Sequence, residues 1–347
     1  MKKCAMILVV ALAVAAQAVQ GADTVRTRTS RLPLSGRVTQ MSPLEVTLEE
    51  GAARVARQIP VNEVLMIIYE EDPTSLKSAR VAAVEGRFQD CLSSLDKIQA
   101  DDVSRKEIKD EIAFYKALCT AKLALGGQGE LSDAGNLMKS FVADCSDNYH
   151  YLQASEVLGD LLVAAGSYAK ALECYDRLAK TSWPEYKMRA GVLIGRALVA
   201  QKEIDKAQKA FQEVLSSGGE GAQAQAQKQA ATLGIARCYA LGKQPDQAVK
   251  MAEDIIAKAD PDQGELYAQA YNILGTALRK SGRSKEALLA FLHVDVLYSN
   301  YPDAHAESLA NLADLWTDAN KVERAARCRQ LLKEDYGNSR WARSGAK

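Results

Sequence analysis

Two periodicities divide this chain. From Thr24 to Asp72 apolar and polar residues alternate, as in Val25-Arg26-Thr27-Arg28-Thr29, Gly36-Arg37-Val38-Thr39, Glu45-Val46-Thr47-Leu48-Glu49, Ala53-Arg54-Val55-Ala56-Arg57 and Val64-Leu65-Met66-Ile67-Ile68-Tyr69. Alternation sends every second side chain to one face, so each segment predicts a short strand with one buried face. Pro33, Ser42-Pro43, Glu50-Gly51 and Pro60 supply the turns between them. Five short strands bury their apolar faces most economically by closing into a small barrel, which is the expectation for residues 23–72. Pro73 ends the pattern, and from Ser75 onward the apolar positions recur at helical spacing.

Within the helical part a small residue returns every 36 to 43 positions: Cys91, Ala134, Ala171, Ala207, Ala248, Ala287 and Ala325. Each falls on the second helix of a helix–turn–helix unit, where it meets the first helix. A larger side chain there would force the two apart. Bulky residues at the other positions fill the groove between one hairpin and the next. The runs Gly126-Gly127-Gln128-Gly129 and Ser217-Gly218-Gly219-Glu220-Gly221 predict extra turns between hairpins. About seven hairpins are expected over residues 73–340. Trp341–Lys347 has no pattern and is expected to fray.

The stretch Leu158–Trp183 places Leu158, Gly159, Leu162, Gly166, Tyr168, Ala171, Tyr175 and Leu178 at the spacing of large, small, turn and aromatic residues in a tetratricopeptide repeat (TPR), and it resembles that family. Gly195, Leu198, Ile204, Ala207 and Phe211 repeat the pattern, as do Tyr271, Leu274, Gly275, Leu278, Gly282, Ala287 and Phe291; Gly86 and Phe88 mark a first copy. Three hairpins depart from it: Cys119 replaces the small glycine, Lys243 the turn glycine, and Arg329 the usual aromatic. The resemblance implies a mainly α fold, a right-handed TPR-type solenoid whose units bury their apolar faces only by stacking. It also implies a binding surface rather than a reaction centre. The order of the predicted strands and the phrase Gln58-Ile59-Pro60-Val61-Asn62-Glu63 are similar to small SH3-like barrels found at the start of some exported repeat proteins. Because the β module shares no repeat with the helices, the solenoid is expected to fold without it.

The first residues carry a different signal. Lys2 and Lys3 precede an apolar run from Ala5 to Ala16, followed by the small residues Ala16-Gln17-Ala18 and Gly21-Ala22. That is the layout of a secretory signal peptide over residues 1–22, cleaved near Ala18 or Ala22. The run is shorter than the roughly 20 residues a spanning helix needs, so no stable membrane span is expected after processing. The protein is expected to be exported, to a periplasmic or extracellular location. Removing Lys2 and Lys3 turns the 44 basic and 44 acidic residues into a net charge near −2, which gives nucleic acid no basic stripe to bind. The cluster Arg26, Arg28 and Arg31 reads either as an anion contact or as a solvated edge that blocks strand pairing.

Six cysteines remain: Cys91, Cys119, Cys145, Cys174, Cys238 and Cys328. Their wide separation excludes zinc-ligand spacing. Several occupy positions where a small buried residue is wanted, so structural thiols are expected, with Cys91–Cys119 as the one bridge worth testing. The sequence contains no serine-hydrolase elbow, Walker loop, zincin motif or dinucleotide turn. No catalytic residue, cofactor or metal ligand is assigned, and the protein is read as a non-enzyme. His293, Asp295, Tyr298 and His305 gather near Pro302 and allow a metal or acid–base reading beside one of plain helix packing.

The resemblance points instead to the inner face of the first helices, which peptide-binding TPR proteins use. One recurrent inward position carries Asp160, Arg196, Arg237, Thr276 and Asp314, with Asn272 and Arg279 one turn to either side of Thr276. These form either a groove for an acidic segment or free carboxylate, or a surface network that pairs across hairpins. The lysine and asparagine set of the family's carboxylate clamp is not reproduced. The expected partner is a peptide or protein held by an exported adaptor; self-association of an envelope component is the alternative.

Overall fold

The computed structural model describes residues 22–344, so the signal peptide expected at the start lies, but for Ala22, outside the described residues. Five strands, β1 (Asp23–Thr27), β2 (Leu34–Met41), β3 (Glu45–Glu50), β4 (Val55–Pro60) and β5 (Val64–Ile68), form one antiparallel sheet in the order β4-β3-β2-β1-β5. A single 3-10 turn, Val61–Glu63, carries the chain from one edge strand to the other. Register shifts at Arg26/Thr27 and Val38/Gln40 bend the sheet locally.

The sheet is not the closed barrel expected from alternation. Strands β4 and β5 remain at opposite edges, and most of β4 is exposed. The apolar face is covered from outside the sheet instead. Val25, Val46, Leu48 and Ile67 join Leu76, Ala79, Cys91, Phe114 and Leu158 in a single buried cluster. Residues 23–72 and the first three hairpins therefore share one continuous buried cluster.

Seven helical hairpins follow: α1 (Thr74–Val84) with α2 (Phe88–Leu95), α3 (Lys106–Leu125) with α4 (Leu131–Asp144), α5 (Tyr151–Ala164) with α6 (Tyr168–Ala179), α7 (Pro184–Ala200) with α8 (Ile204–Ser216), α9 (Gly221–Leu241) with α10 (Pro245–Lys258), α11 (Gly264–Lys280) with α12 (Ser284–Leu297), and α13 (Pro302–Asp318) with α14 (Val322–Tyr336). The seven small residues of the sequence register are at most 1% exposed, so they sit where the helices cross. No described helix is long and apolar enough to cross a membrane.

The glycine-rich run at 126–129 lies within the second hairpin, between α3 and α4, rather than between hairpins. Its location explains its composition. Gly127 takes φ +89°, and a Cβ there would lie 2.8 Å from the Cα of Tyr336 at the end of α14. Asn338 donates through Nδ2 to the Gly129 carbonyl at 2.8 Å. A last helical turn, α15 (Arg340–Ser344), replaces the fraying expected from Trp341 to Ser344; residues 345–347 lie outside the described residues. The indole of Trp341 donates to Asp303, and Arg343 donates to the Ala164 carbonyl at 2.7 Å. The last hairpin thus docks on the turns of the second and third, and the solenoid winds back upon itself.

Candidate functional site

The row of inward residues divides into two halves. Helices α7, α9, α11 and α13 pack directly side by side, and the inward side chains between α9 and α13 are used to hold them. Arg237 on α9 donates from Nη1 and Nη2 to both oxygens of Glu307 on α13, at 2.5 and 3.0 Å. Asn272, fully buried on α11, donates to the Ala304 carbonyl at 2.8 Å and to Glu307 at 3.4 Å. The Thr276 hydroxyl turns back to the Asn272 carbonyl. Arg279 reaches Asn311 at 3.4 Å and Asp314 at 3.2 Å, with Asp318 at 3.9 Å. Glu307, which anchors this half, was missed from the sequence; it lies two helical turns before Asp314 on the same face of α13, and that spacing was the available signal.

In the other half, α5 and α7 stand apart, leaving a gap between the first helices of the third and fourth hairpins. Glu156 and Asp160 face it from α5, Arg189 and Arg196 from α7. Arg189 spans the gap with a two-bond fork to Glu156 at 2.5 and 2.6 Å. The Tyr175 hydroxyl, rising from α6, donates to Asp160 at 2.8 Å. Arg196 is exposed and makes no hydrogen bond to any described residue; Asp160 is within electrostatic range of it. The β sheet borders the start of α7: Asn62 donates to Glu185 at 2.7 Å, and the Tyr186 ring lies within the fields of Arg189 and Arg28. Trp183 meets Tyr186 edge to face, 5.0 Å between ring centres.

Burial and the neighbouring Glu156 push the Asp160 carboxyl up to about 6, against the opposing pull of the Tyr175 hydroxyl, Lys122 and Arg196. The folded protein therefore holds this proton more tightly than the unfolded chain. Stability falls as pH rises from about 4 to about 6 and the penalty is complete above that range. Asp160→Asn keeps an acceptor for Tyr175 and removes the charge. It is expected to raise stability by about 1 to 3 kcal/mol near pH 8 and to leave it unchanged near pH 4. Thermal unfolding of both proteins across that range checks the result; equal melting curves near pH 8 would contradict it.

Other clusters are accounted for by packing. His305 bonds Asp295 at 2.9 Å and the Tyr336 hydroxyl at 2.8 Å, whereas His293 stacks on Tyr271 with ring centres 4.6 Å apart. The two histidines are not brought to a common point, and among the described residues no group of three or more metal-ligand side chains assembles. The six cysteines among the described residues are buried free thiols. Cys91 and Cys119 share a hydrogen bond across the α2–α3 contact, which holds the Cys91 thiol below its ordinary range and the Cys119 thiol above it.

Comparison with known proteins agrees with this architecture. Residues 192–264 match the tetratricopeptide repeat family. No curated protein matches the chain. Among solved structures, the chain is similar to the apo form of RapI, with 13% identity over 76% of this chain and 97% of that one and a TM-score of 0.56. It is similar also to a tetratricopeptide repeat protein from Parabacteroides merdae, with 14% identity over 79% of this chain and 98% of the other and a TM-score of 0.53. At such identities the likeness is one of fold.

Proposed function

On the premise that this chain is a tetratricopeptide-repeat solenoid fronted by a β sheet, we propose that it is an exported, non-enzymatic binding protein that holds a peptide or protein segment in the gap between α5 and α7. The observation that carries the reading is Arg196. Every other arginine of the inward row has a carboxylate: Arg237 has Glu307, Arg279 has Asp314, and Arg189, on the same face, has Glu156. Among the described residues of this row, Arg196 is the arginine that is exposed and has no hydrogen-bonded carboxylate, on a helix that makes little direct contact with α5. A planar guanidinium left unpaired inside a concave wall suits recognition of a planar acceptor. Export rests on the residue pattern of positions 1–22.

Arg196→Glu is expected to abolish capture of partners crosslinked to the chain in its native cell, while helical content and melting behaviour stay unchanged. Capture that persists in this variant removes the gap as the binding site. Arg237 is unsuitable for the same test. A glutamate there would face the buried Glu307, so loss of binding would report a damaged fold.

A further inference from the structure

We infer that the β sheet carries a contact surface of its own, separate from the α5–α7 gap: the corner built by the β1–β2 loop and the start of β5 docks on the surface of an anionic phospholipid bilayer. Arg26, Arg28 and Arg31 are exposed there, and their guanidinium groups make no hydrogen bond or ion pair to any described residue. Protection of an open strand edge, one of the two readings of this cluster, does not fit the sheet. Strand β1 lies between β2 and β5, so Arg26 guards no edge, and Arg28 and Arg31 belong to the loop that joins β1 to β2.

The three cations outnumber the carboxylates that reach this corner. Those are Glu63, which accepts from the Thr29 hydroxyl at 3.1 Å, and Glu185 of the adjoining α7, which accepts from Asn62 at 2.7 Å. Asp23 is held by Arg105. Glu45, Glu49 and Glu50 stand on β3, two strands from β1 and so roughly 10 Å away. Glu70 and Glu71 follow the opposite end of β5. Positive charge is thus concentrated here in a chain whose basic and acidic residues balance.

Exposed leucines give the corner its second character. The register shift at Arg26/Thr27 leaves Leu65 without a partner on β1, and this bulge turns it outward, 51% exposed. Leu32, on the β1–β2 loop, is 77% exposed. The Arg28 backbone N–H donates to the Glu63 carbonyl at 2.9 Å and so ties that loop beside the start of β5. A polyanion in solution gains nothing from exposed leucines. A bilayer surface gains from both features: the leucines enter the acyl boundary, while the arginines reach the phosphates on their long stems.

Co-sedimentation of the processed, full chain with vesicles tests the inference. Phosphatidylcholine vesicles containing about one third phosphatidylglycerol should retain it about tenfold more strongly than phosphatidylcholine alone. Retention should fall as salt rises from about 0.05 to about 0.5 M. Arg26→Ser, Arg28→Ser and Arg31→Ser together should abolish the preference and leave the melting curve unchanged. Arg54→Asn with Arg57→Gln removes two charges at the far edge of the sheet and should keep it. Leu32→Ser should weaken retention on the anionic vesicles about tenfold.

Equal retention on the two vesicle types, or a loss in the Arg54 and Arg57 variant as large as in the triple variant, would overturn the inference. So would a Leu32→Ser protein that binds the vesicles as tightly as the parent, because the contact would then be one for any polyanion. The lipid and salt dependences are read on the unmodified protein, so they decide the matter even where a variant folds poorly.

Discussion

Replacing Arg80 by methionine is expected to destabilise the protein by about 3 to 5 kcal/mol, the range for breaking a buried ion pair from one side. Arg80 is the largest fully buried side chain among the described residues, 1% exposed, on the first helix of the solenoid. Its Nε donates to Glu111 on α3 at 2.9 Å, and its terminal nitrogens donate to Asp72, which closes the β module. Glu111 is also fully buried and accepts from the Tyr149 hydroxyl at 2.8 Å, with His150 Nε2 at 2.9 Å. Asp72 takes the Tyr69 backbone N–H at 2.9 Å. Methionine fills the stem's volume but leaves two carboxylates in the interior without their counter-charge. Burial already pushes the Asp72 carboxyl up, so this carboxylate would take a proton when Arg80 is lost. Urea unfolding measures the loss, and Arg80→Met with Asp72→Asn and Glu111→Gln should recover part of it. A single variant within about 1 kcal/mol of the parent would show that the cluster carries no net electrostatic weight.

The same cluster shows why the joint between sheet and solenoid was hidden in the sequence. Asp23, at the start of β1, accepts two bonds from Arg105 at 2.7 and 2.8 Å, eighty-two positions away, and two more from the Val38 and Glu70 backbone. Arg105 also lies over the Tyr69 ring, 4.6 Å from its centre. Alternation and helical spacing are local signals, so they located strands and hairpins closely. They carry no information about which strand face meets which helix. The barrel expectation failed for that reason: closure was inferred from the strands alone, whereas α1 and its neighbours cover their apolar face.

The inward row was legible as a row, because repeat spacing fixes which residues share a face. Its pairing was not. Arg237 skips the adjacent hairpin and reaches Glu307 seventy positions on, a contact set by the tightness of the winding. No periodicity in the chain records that tightness. Arg196 takes no part in such a pairing for the complementary reason, that α5 and α7 make little direct contact with each other. Gly127 is similar: its need for a bare backbone comes from Tyr336, far away in sequence.

Phe211→Ala is expected to cost about 3 to 5 kcal/mol, and Gly234→Ala about 1 to 3 kcal/mol, both through one contact. Phe211 on α8 is fully buried with its ring in a slot between two glycines. A Cβ on Gly195 of α7 would stand 2.5 Å from its Cε1, and a Cβ on Gly234 of α9 would stand equally close. The ring therefore joins its own hairpin to the next, within the segment that matches the repeat family. Helix propensity alone argues the other way for Gly234→Ala, favouring alanine by about 1 kcal/mol in a helix interior. The collision decides the sign, because a ring wedged from both sides has no direction in which to retreat. Gly234→Ala in a Phe211→Leu background should accordingly cost less than in the parent, and the propensity gain should reappear. Chemical unfolding of the two singles and the double gives the coupling; strictly additive values would place the effect of Gly234 somewhere other than the ring of Phe211.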